Sequence, residues 1–496
     1  MALVPVKRDM IPDDATILNS HMFVVNKYAA NGDFEKVKAR LVADGRDQDP
    51  AMYPNKSSPT VALQSVFTVL GMAAERRWRI VAKVDIKGAF VQTPMSGPPI
   101  FMKLDPKVVR YAREMYPEFE EYLWNGASIY TVMLKAMYGC VQASALWYAL
   151  IRSEIEKMGY KVCETDKCVF AKQVGDRVFN LLLHVDDILG VVDAEEAKLI
   201  ERNLKQRFGD VQFETGDDLS YLGMQVSIRN QGTTIDMSFY VSELLKDEEV
   251  EVVGSPTTKD TYKVNESSTK LSEVERKWYH SKTAKLLYLA KRARPDILTA
   301  VIFLCTRVQA ATREDKVKLV RVLGYLKGTV DRKLFLRAQR EKRIVAYVDA
   351  AYAVHEDSKS HSGVMIYVGD TLAYVSSRKQ KCMSKSPTEA ELIALTDNLG
   401  LVELFRELLE FVTQSAVPIP TIYQDCSAVV SLVTKGGGKT RTKHMRARMN
   451  LAKEMVDEGR ARIVHTNAPE MKADGLTKPY EEAKHKKFAK VVQGEE

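Results

Sequence analysis

The chain has 496 residues, 45% hydrophobic and 28% charged, with a formal net charge of +8; that length holds two to four domains, each with its own core. No apolar run is long enough to cross a bilayer, and the opening MALVPVKRDM lacks the apolar core of a secretory signal. The six cysteines (Cys140, Cys163, Cys168, Cys305, Cys382, Cys426) are scattered without a CxxC pair, which argues for a reducing compartment and against a structural zinc.

From Val81 to Phe90, VAKVDIKGAF reads as a strand that ends near Asp85 and then turns. Between Ala143 and Tyr160 the apolar residues Ala145, Leu146, Ala149, Leu150, Ile155 and Met158 recur at helical spacing. VFNLLLHVDDILGVV is two β-prone runs meeting at Asp186 and Asp187, which predicts a tight hairpin with the carboxylates at its tip. Glu195 to Phe208 is helical again. Residues 240 to 340 are helix-rich, and GSPTTKDTYKVNESSTK, from Gly254, reads as a linker or mobile loop. After Arg343, RIVAYVDAAYAV is a strand, SGVMIYVGDTLAYVSS a hairpin and PTEAELIALTDNLGLVELFRELLEF a long amphipathic helix. PTIYQDCSAVVSLV adds a strand and a helix start, and ARIVHT a further strand, which together predict a mixed-sheet α/β domain. Basic clusters at KVKAR, KRARP, RKQK, KTRTKHMRAR and KHKK suggest several contacts along an extended nucleic acid.

Carboxylates inside an apolar run are costly unless paired, hydrogen-bonded or bound to a metal. Asp85, ending a strand, is the candidate partner of Asp186 and Asp187, and three convergent hard oxygen donors suit magnesium or manganese. Standing alone, a DD pair at a turn is more often a solvated turn. The motifs around it decide the matter. KVKARLVADG, SSPTVALQSVFTVLGMAA, KAMYGCVQASALWY and LLLHVDDILG occur in that order, and the chain resembles the reverse transcriptase region of copia-type retrotransposon polyproteins from about residue 20 to 480. The resemblance implies that Asp85, Asp186 and Asp187 are the polymerase triad, holding two divalent ions. It implies that the ring of Phe90 excludes the sugar 2′-hydroxyl, although read by itself Phe90 is equally a core aromatic. Gln142 would line the nucleotide pocket, and Lys38 and Arg40 would meet the incoming triphosphate or stand as surface charges on a strand. His184 replaces the commoner tyrosine of the box, and Ser144 replaces the proline common after Gln-Ala.

A second set of acids follows. Asp349 ends AYVDA, Glu391 lies on the helix of TEAELIAL, Asp425 follows TIYQD and Asp474 sits in MKADGLTKP. This segment resembles the RNase H domain of the same polyproteins, which implies two more divalent ions acting on an RNA phosphodiester. Glu389 rivals Glu391; the spacing that follows Glu391 fits the family motif better, while Glu389 suits a helix first turn. Asp357, Asp370 and Asp397 read as surface residues. KGGGKTRTKH fails the phosphate-loop pattern, because position 433 is Val, and reads as a flexible basic loop on the hybrid backbone; His444 is read as structural.

The expected fold is therefore α+β and multidomain: a right-hand polymerase of fingers, palm and thumb, followed by an RNase H-like α/β domain with a mixed sheet. The expected boundaries are 1–240 for fingers and palm, 241–340 for thumb and connection, 341–480 for the RNase H-like domain and 481–496 for a basic tail. The implied function is RNA-directed DNA polymerase with RNase H activity, acting on RNA template, DNA primer, RNA/DNA hybrid and dNTPs. Two Mg2+ (or Mn2+) are expected per site, with Gag and integrase of the same element as further partners and no membrane. The lifestyle implies cytoplasmic virus-like particles, with product delivered to the nucleus. The alternatives are an inactive or domesticated remnant that only binds nucleic acid, and an RNase H-only nuclease. No D-[ST]-G protease motif, integrase zinc cluster or zinc knuckle occurs, so the expectation is the C-terminal part of a polyprotein, processed or encoded as a truncated copy, with the first fingers strands and their leading tryptophan segment absent or much diverged.

Overall fold

Strand Arg177–His184 buries six consecutive residues, Val178 to Leu183, the pattern of a strand covered on both faces. A computed structural model describes residues 2–28, 34–53, 56–436 and 445–495, and in it this strand pairs antiparallel with Asp187–Val192. The sheet runs in the order Val211–Thr215, Ile80–Ile86, Asp187–Val192, Arg177–His184, Val169–Val174, Lys161–Val162. Helices Ala143–Lys157 and Ala194–Phe208 flank it in sequence, the second capped by Asp193, whose carboxylate accepts the Glu196 amide. These elements belong to the first of two compact units, residues 1–61 with 80–216.

The same unit holds a second sheet, in the order Leu3–Val6, Ser128–Met133, Phe101–Lys103, Ile17–Tyr28, Phe34–Ala43. Its core gathers Leu18, Ile100, Met102, Ile129, Met133, Met137 and Cys140, with Phe90 packed at the edge. The long hairpin of Ile17–Tyr28 and Phe34–Ala43 leaves this core and exposes Phe23, Val25 and Val37.

The second unit comprises residues 62–79 and 217–496. An antiparallel meander of Asp218–Tyr221, Met224–Arg229 and Gly232–Asp236 is closed by Leu334–Arg337. Helix Leu63–Ala73 joins it, with Thr233 Oγ1 donating to Leu70 O and Gln339 N to Gly71 O. Helices Glu273–Arg292 and Arg313–Lys327 each begin with a capping box, Ser272 with Glu275 and Thr312 with Asp315. Between them lies a fully buried ion pair: Arg294 donates twice to Asp296, which also accepts from Tyr325 and Gln493.

A five-stranded sheet follows, ordered Thr371–Lys379, His361–Val368, Ile344–Ala351, Thr421–Gln424, Arg462–His465. The first two pairings are antiparallel and the last two parallel. Helix Pro387–Thr413 packs on it through Leu392, Leu395, Leu399, Val402, Phe405 and Leu409. This is the mixed-sheet α/β domain expected after Arg343.

One expectation needs correction, that of a mobile loop from Gly254. The two compact units divide after Gly216, where the strands after Asp217 find their partner at Leu334–Arg337. The segment from Gly254 is no mobile loop: Ser255, Thr257, Thr261 and Tyr262 are buried, their hydroxyls spent on hydrogen bonds. The basic tail is a helix, Glu482–Val492, that buries His485, Phe488, Ala489 and Val492 and turns its lysines outward. Positions 437–444, which include most of KGGGKTRTKH and His444, lie outside the described residues. Among the described residues no helix is long and apolar enough to cross a membrane.

Candidate active sites

In the first unit, strand Ile80–Ile86 lies between Asp187–Val192 and Val211–Thr215, and its register sets Asp85 directly opposite Asp187. Residues opposite each other in a ladder project to one face, so the two carboxylates are neighbours despite about a hundred intervening residues. Asp186 is the second residue of the hairpin turn, and its carbonyl accepts the Ile86 amide at 3.2 Å. Burial pushes the Asp186 carboxyl above its ordinary range and Asp85 adds to the push, while Lys38 and His184 pull it down. Lys83 stands 3.9 Å from Asp187.

The turn has a support that sequence reasoning did not single out. Val185 adopts φ 59°, a left-handed conformation costly for a β-branched residue. Trp147, 1% exposed on helix Ala143–Lys157, donates its indole N–H to the Val185 carbonyl at 2.6 Å. Tyr138, quoted above only as part of a motif, is a second such residue. Its ring meets Phe90 edge-on at 4.7 Å, Arg40 lies 5.8 Å over it, and its phenol is raised by burial and then by the nearby Asp186 charge. Phe90 and Arg40 thus both meet the Tyr138 ring, and Lys38 and Tyr138 both lie within electrostatic reach of Asp186.

Gln142 lies beside the first of these helices, and its orientation can be derived. The Val141 amide donates to Gln48 Oε1 at 2.8 Å, which fixes which end of the Gln48 amide is oxygen. Gln48 Nε2 must then donate to Gln142 Oε1, at 2.9 Å, leaving the buried Gln142 Nε2 without a partner among the described residues. Gln48 is itself 2% exposed. A buried glutamine was the available sequence signal, but burial is not visible in a run such as GRDQDP.

In the second unit, Asp349 lies on the central strand of the five-stranded sheet, opposite Gly363. Glycine is required there: a Cβ at 363 would come within 2.8 Å of Leu476 Cβ and Thr477 Cγ2. Glu391 comes from the first turns of helix Pro387–Thr413, and Asp425 follows strand Thr421–Gln424. The ligand atoms of Asp349, Glu391 and Asp425 all lie within 4.8 Å of one another, the group of that kind among the described residues. The acids of the first unit share a sheet corner without closing to that distance.

Gln424 orders this centre. Its Oε1 accepts the Cys426 amide at 3.0 Å, so its Nε2 faces Glu391 Oε2 at 3.2 Å. Thr477 donates its hydroxyl to Asp349. Burial, reinforced by the mutual repulsion of the acids, raises Asp349 to about 6 and Glu391 to about 9, and burial raises Asp425 as well. Buried, converging carboxylates that resist ionisation together are a donor set that a hard divalent cation relieves, so the residues fit a metal. Asp474 stands beside this group, its carboxylate taken by Lys478 and Tyr480. Glu389 is placed elsewhere: it accepts the Lys385 amide at 2.6 Å while its own amide bonds to Ser386, a helix-capping role. Asp357, Asp370 and Asp397 form ion pairs with Lys379, Arg343 and Arg448.

A polymerase-type sheet with acids at a hairpin turn, together with an RNase H-like sheet with its own acids, defines the class. A family model described as reverse transcriptase (RNA-dependent DNA polymerase) matches residues 10–259. The chain belongs to that family. It is 29% identical over 490 residues to the retrovirus-related Pol polyprotein from transposon RE1 of Arabidopsis thaliana, covering 97% of this chain and 32% of that protein. The Pol polyprotein from transposon TNT 1-94 of Nicotiana tabacum is 27% identical over 477 residues, covering 92% and 34%. The chain thus spans about a third of the length of these copia-type relatives. Among solved structures, a foamy viral protease-reverse transcriptase in complex with double-stranded DNA shares the fold at TM-score 0.51 and 12% identity, covering 93% of this chain and 67% of that one. A foamy viral protease-reverse transcriptase in complex with an RNA/DNA hybrid also gives 0.51, at 12% identity, covering 94% of this chain and 51% of that one.

Proposed function

We propose that this chain copies RNA into DNA at the first centre and cleaves the RNA of the resulting hybrid at the second. The observation that carries the reading is the register that sets Asp85 opposite Asp187 beside the Asp186 turn, in a chain whose other unit gathers Asp349, Glu391 and Asp425. Asp85, Asp186 and Asp187 would hold one pair of Mg2+ (or Mn2+), and Asp349, Glu391, Asp425 and Asp474 a second pair. Such ions activate the attacking oxygen and neutralise charge developing at phosphorus.

The chain's own residues do the rest. Phe90, backed by Tyr138, closes the space at the sugar 2′ position and so selects dNTPs. The free amide end of Gln142 offers a donor to the nucleotide, and Lys38 and Arg40 draw its triphosphate. Residues 1–240 act as fingers and palm, 241–340 as thumb and connection, and 341–480 as the hybrid-cleaving domain. Template, primer and hybrid are gripped through backbone and shape, since their sequence is arbitrary. The setting is a cytoplasmic particle with Gag and integrase of the same element, its product passing to the nucleus.

Extension of a DNA primer on poly(rA) with magnesium tests the first centre, with product from wild type and none from Asp186→Asn. Release of RNA fragments from a hybrid, lost in Asp474→Asn, tests the second. A wild-type chain that only binds the substrate marks a remnant, and one that only cleaves marks a nuclease.

A further inference from the structure

Asp474, the last of the candidate site acids along the chain, is carried by an irregular segment. A short 3-10 turn, Lys472–Leu476, gives way at Thr477 to chain without helix or strand up to Tyr480. This segment supplies four side chains to the second centre: Asp474, the Thr477 hydroxyl on Asp349, and Lys478 and Tyr480 on Asp474. Regular structure cannot hold such a segment, so its carbonyls need other partners. They find them about two hundred residues upstream.

Thr299 Oγ1 donates to Gly475 O at 2.8 Å, and the Tyr262 hydroxyl to Thr477 O at 3.2 Å. Tyr480 O accepts from both Ser255 Oγ, at 2.8 Å, and Thr257 Oγ1, at 2.6 Å. All four donors are at most 5% exposed. Three carbonyls of one short segment, at 475, 477 and 480, are thus met by side chains from the stretch between the meander and the RNase H-like sheet. The Tyr262 ring is fixed in turn, lying 5.2 Å from the His361 ring at 24° and 4.8 Å from that of His355.

We infer that Ser255, Thr257, Tyr262 and Thr299 are positioning residues for RNA cleavage, holding the Asp474 segment in register with Asp349, Glu391 and Asp425. The hybrid-cleaving centre is then built from two parts of the chain, and the connection preceding residue 341 completes it. The inference rests on the reading of this centre as an RNase H. Its chemistry is that of an outer shell: hydroxyls that touch no reacting atom but fix the backbone carrying a ligand, a role whose loss costs roughly 10- to 100-fold in metal affinity or activity.

The test uses the full chain with Tyr262→Phe, Thr299→Val and the conservative Thr299→Ser. Each is assayed for cleavage of an RNA/DNA hybrid across a magnesium titration, for primer extension, and for peptide-level hydrogen exchange of residues 472–480 without substrate. The expected result for Thr299→Val and Tyr262→Phe is faster exchange in 472–480, kcat for cleavage lower by about 10-fold or more, and a higher magnesium midpoint. KM for hybrid and the extension rate should stay within about twofold of wild type, and Thr299→Ser should restore exchange and cleavage. Unchanged exchange and unchanged cleavage in both variants overturn the inference. So does a loss of cleavage that Thr299→Ser does not restore, or one matched by an equal loss of extension. A wild-type chain that protects 472–480 from exchange, loses that protection in the variants and never cleaves hybrid refutes the RNase H reading while leaving the hydrogen bonds themselves in place.

Discussion

Replacing Trp147 with Phe removes one hydrogen bond and tests whether the Asp186 turn is held from outside. The indole N–H is the donor to the Val185 carbonyl at 2.6 Å, in a site where the side chain is 1% exposed. Leaving this part-buried carbonyl unpaired costs about 1–3 kcal/mol. The indole also meets Phe208 edge-on at 5.5 Å, a contact worth about 0.5–1.5 kcal/mol, only part of which a phenyl ring keeps. The left-handed Val185 pushes the same way, releasing roughly 1–2 kcal/mol by relaxing to an ordinary conformation. The two effects have the same sign: without the indole the turn gains by moving, and Asp186 moves with it. The lost hydrogen bond alone, at about 1–3 kcal/mol, corresponds to roughly 5- to 150-fold in rate. Single-turnover extension of a labelled DNA primer on an RNA template reads this directly, with hybrid cleavage measured on the same preparation. The expected outcome is extension slowed by that factor while cleavage stays within about twofold. Extension within twofold of wild type in a folded Trp147→Phe chain refutes the reasoning.

Phe90→Ala should open the sugar pocket and raise ribonucleotide incorporation relative to deoxyribonucleotide by about tenfold or more, read by competing rGTP against dGTP in primer extension; an unchanged ratio assigns Phe90 to the core alone. Gln48→Leu leaves both the Val141 amide and Gln142 Oε1 unpaired, so KM for dNTP should rise several-fold while hybrid cleavage does not change. Burial holds His485 at about 4, below its unfolded value of about 6.5, with Asp296 opposing and Arg332 and Arg294 reinforcing the shift. The unfolded chain therefore takes up the proton first, and stability falls as pH drops from 6.5 towards 4. Between pH 7 and pH 5 this single group accounts for about 2 kcal/mol. Asp296, held at about 2 by Arg294 against its burial, loses its contribution only below about pH 4 and does not share that window. Urea midpoints of the second unit at the two pH values should converge in His485→Phe; an unchanged difference removes His485 as a cause.

Elements with strong patterning were readable from the residues alone. The HVDD hairpin, the helix from Pro387 and the strands around Asp349 and Asp425 all lie where alternation or helical spacing placed them. Helix Leu63–Ala73 buries nine of its eleven residues, so no face in its sequence says which unit it joins. The stretch from Gly254 looked like a linker because it is rich in Ser and Thr, yet Ser255 and Thr257 bury their hydroxyls against the Tyr480 carbonyl beyond Asp474, a pairing invisible to local composition. The C-terminal helix did carry a signal. His485, Phe488, Ala489 and Val492 recur at helical spacing beneath the lysines that suggested a tail. Asp349, Glu391 and Asp425, which the fold gathers, were named from motif context, whereas Gln48, Trp147 and Tyr262 act through backbone partners, and Gln424 through Glu391, that only the fold brings near.

The central claim is that one chain houses two independent phosphodiester chemistries. A DNA primer annealed to an RNA template, each labelled, reports extension and template cleavage in a single magnesium reaction. Asp186→Asn is expected to cleave without extending, Glu391→Gln to extend without cleaving, and the double variant to do neither. Loss of both activities on either single substitution, or persistence of both, contradicts the account.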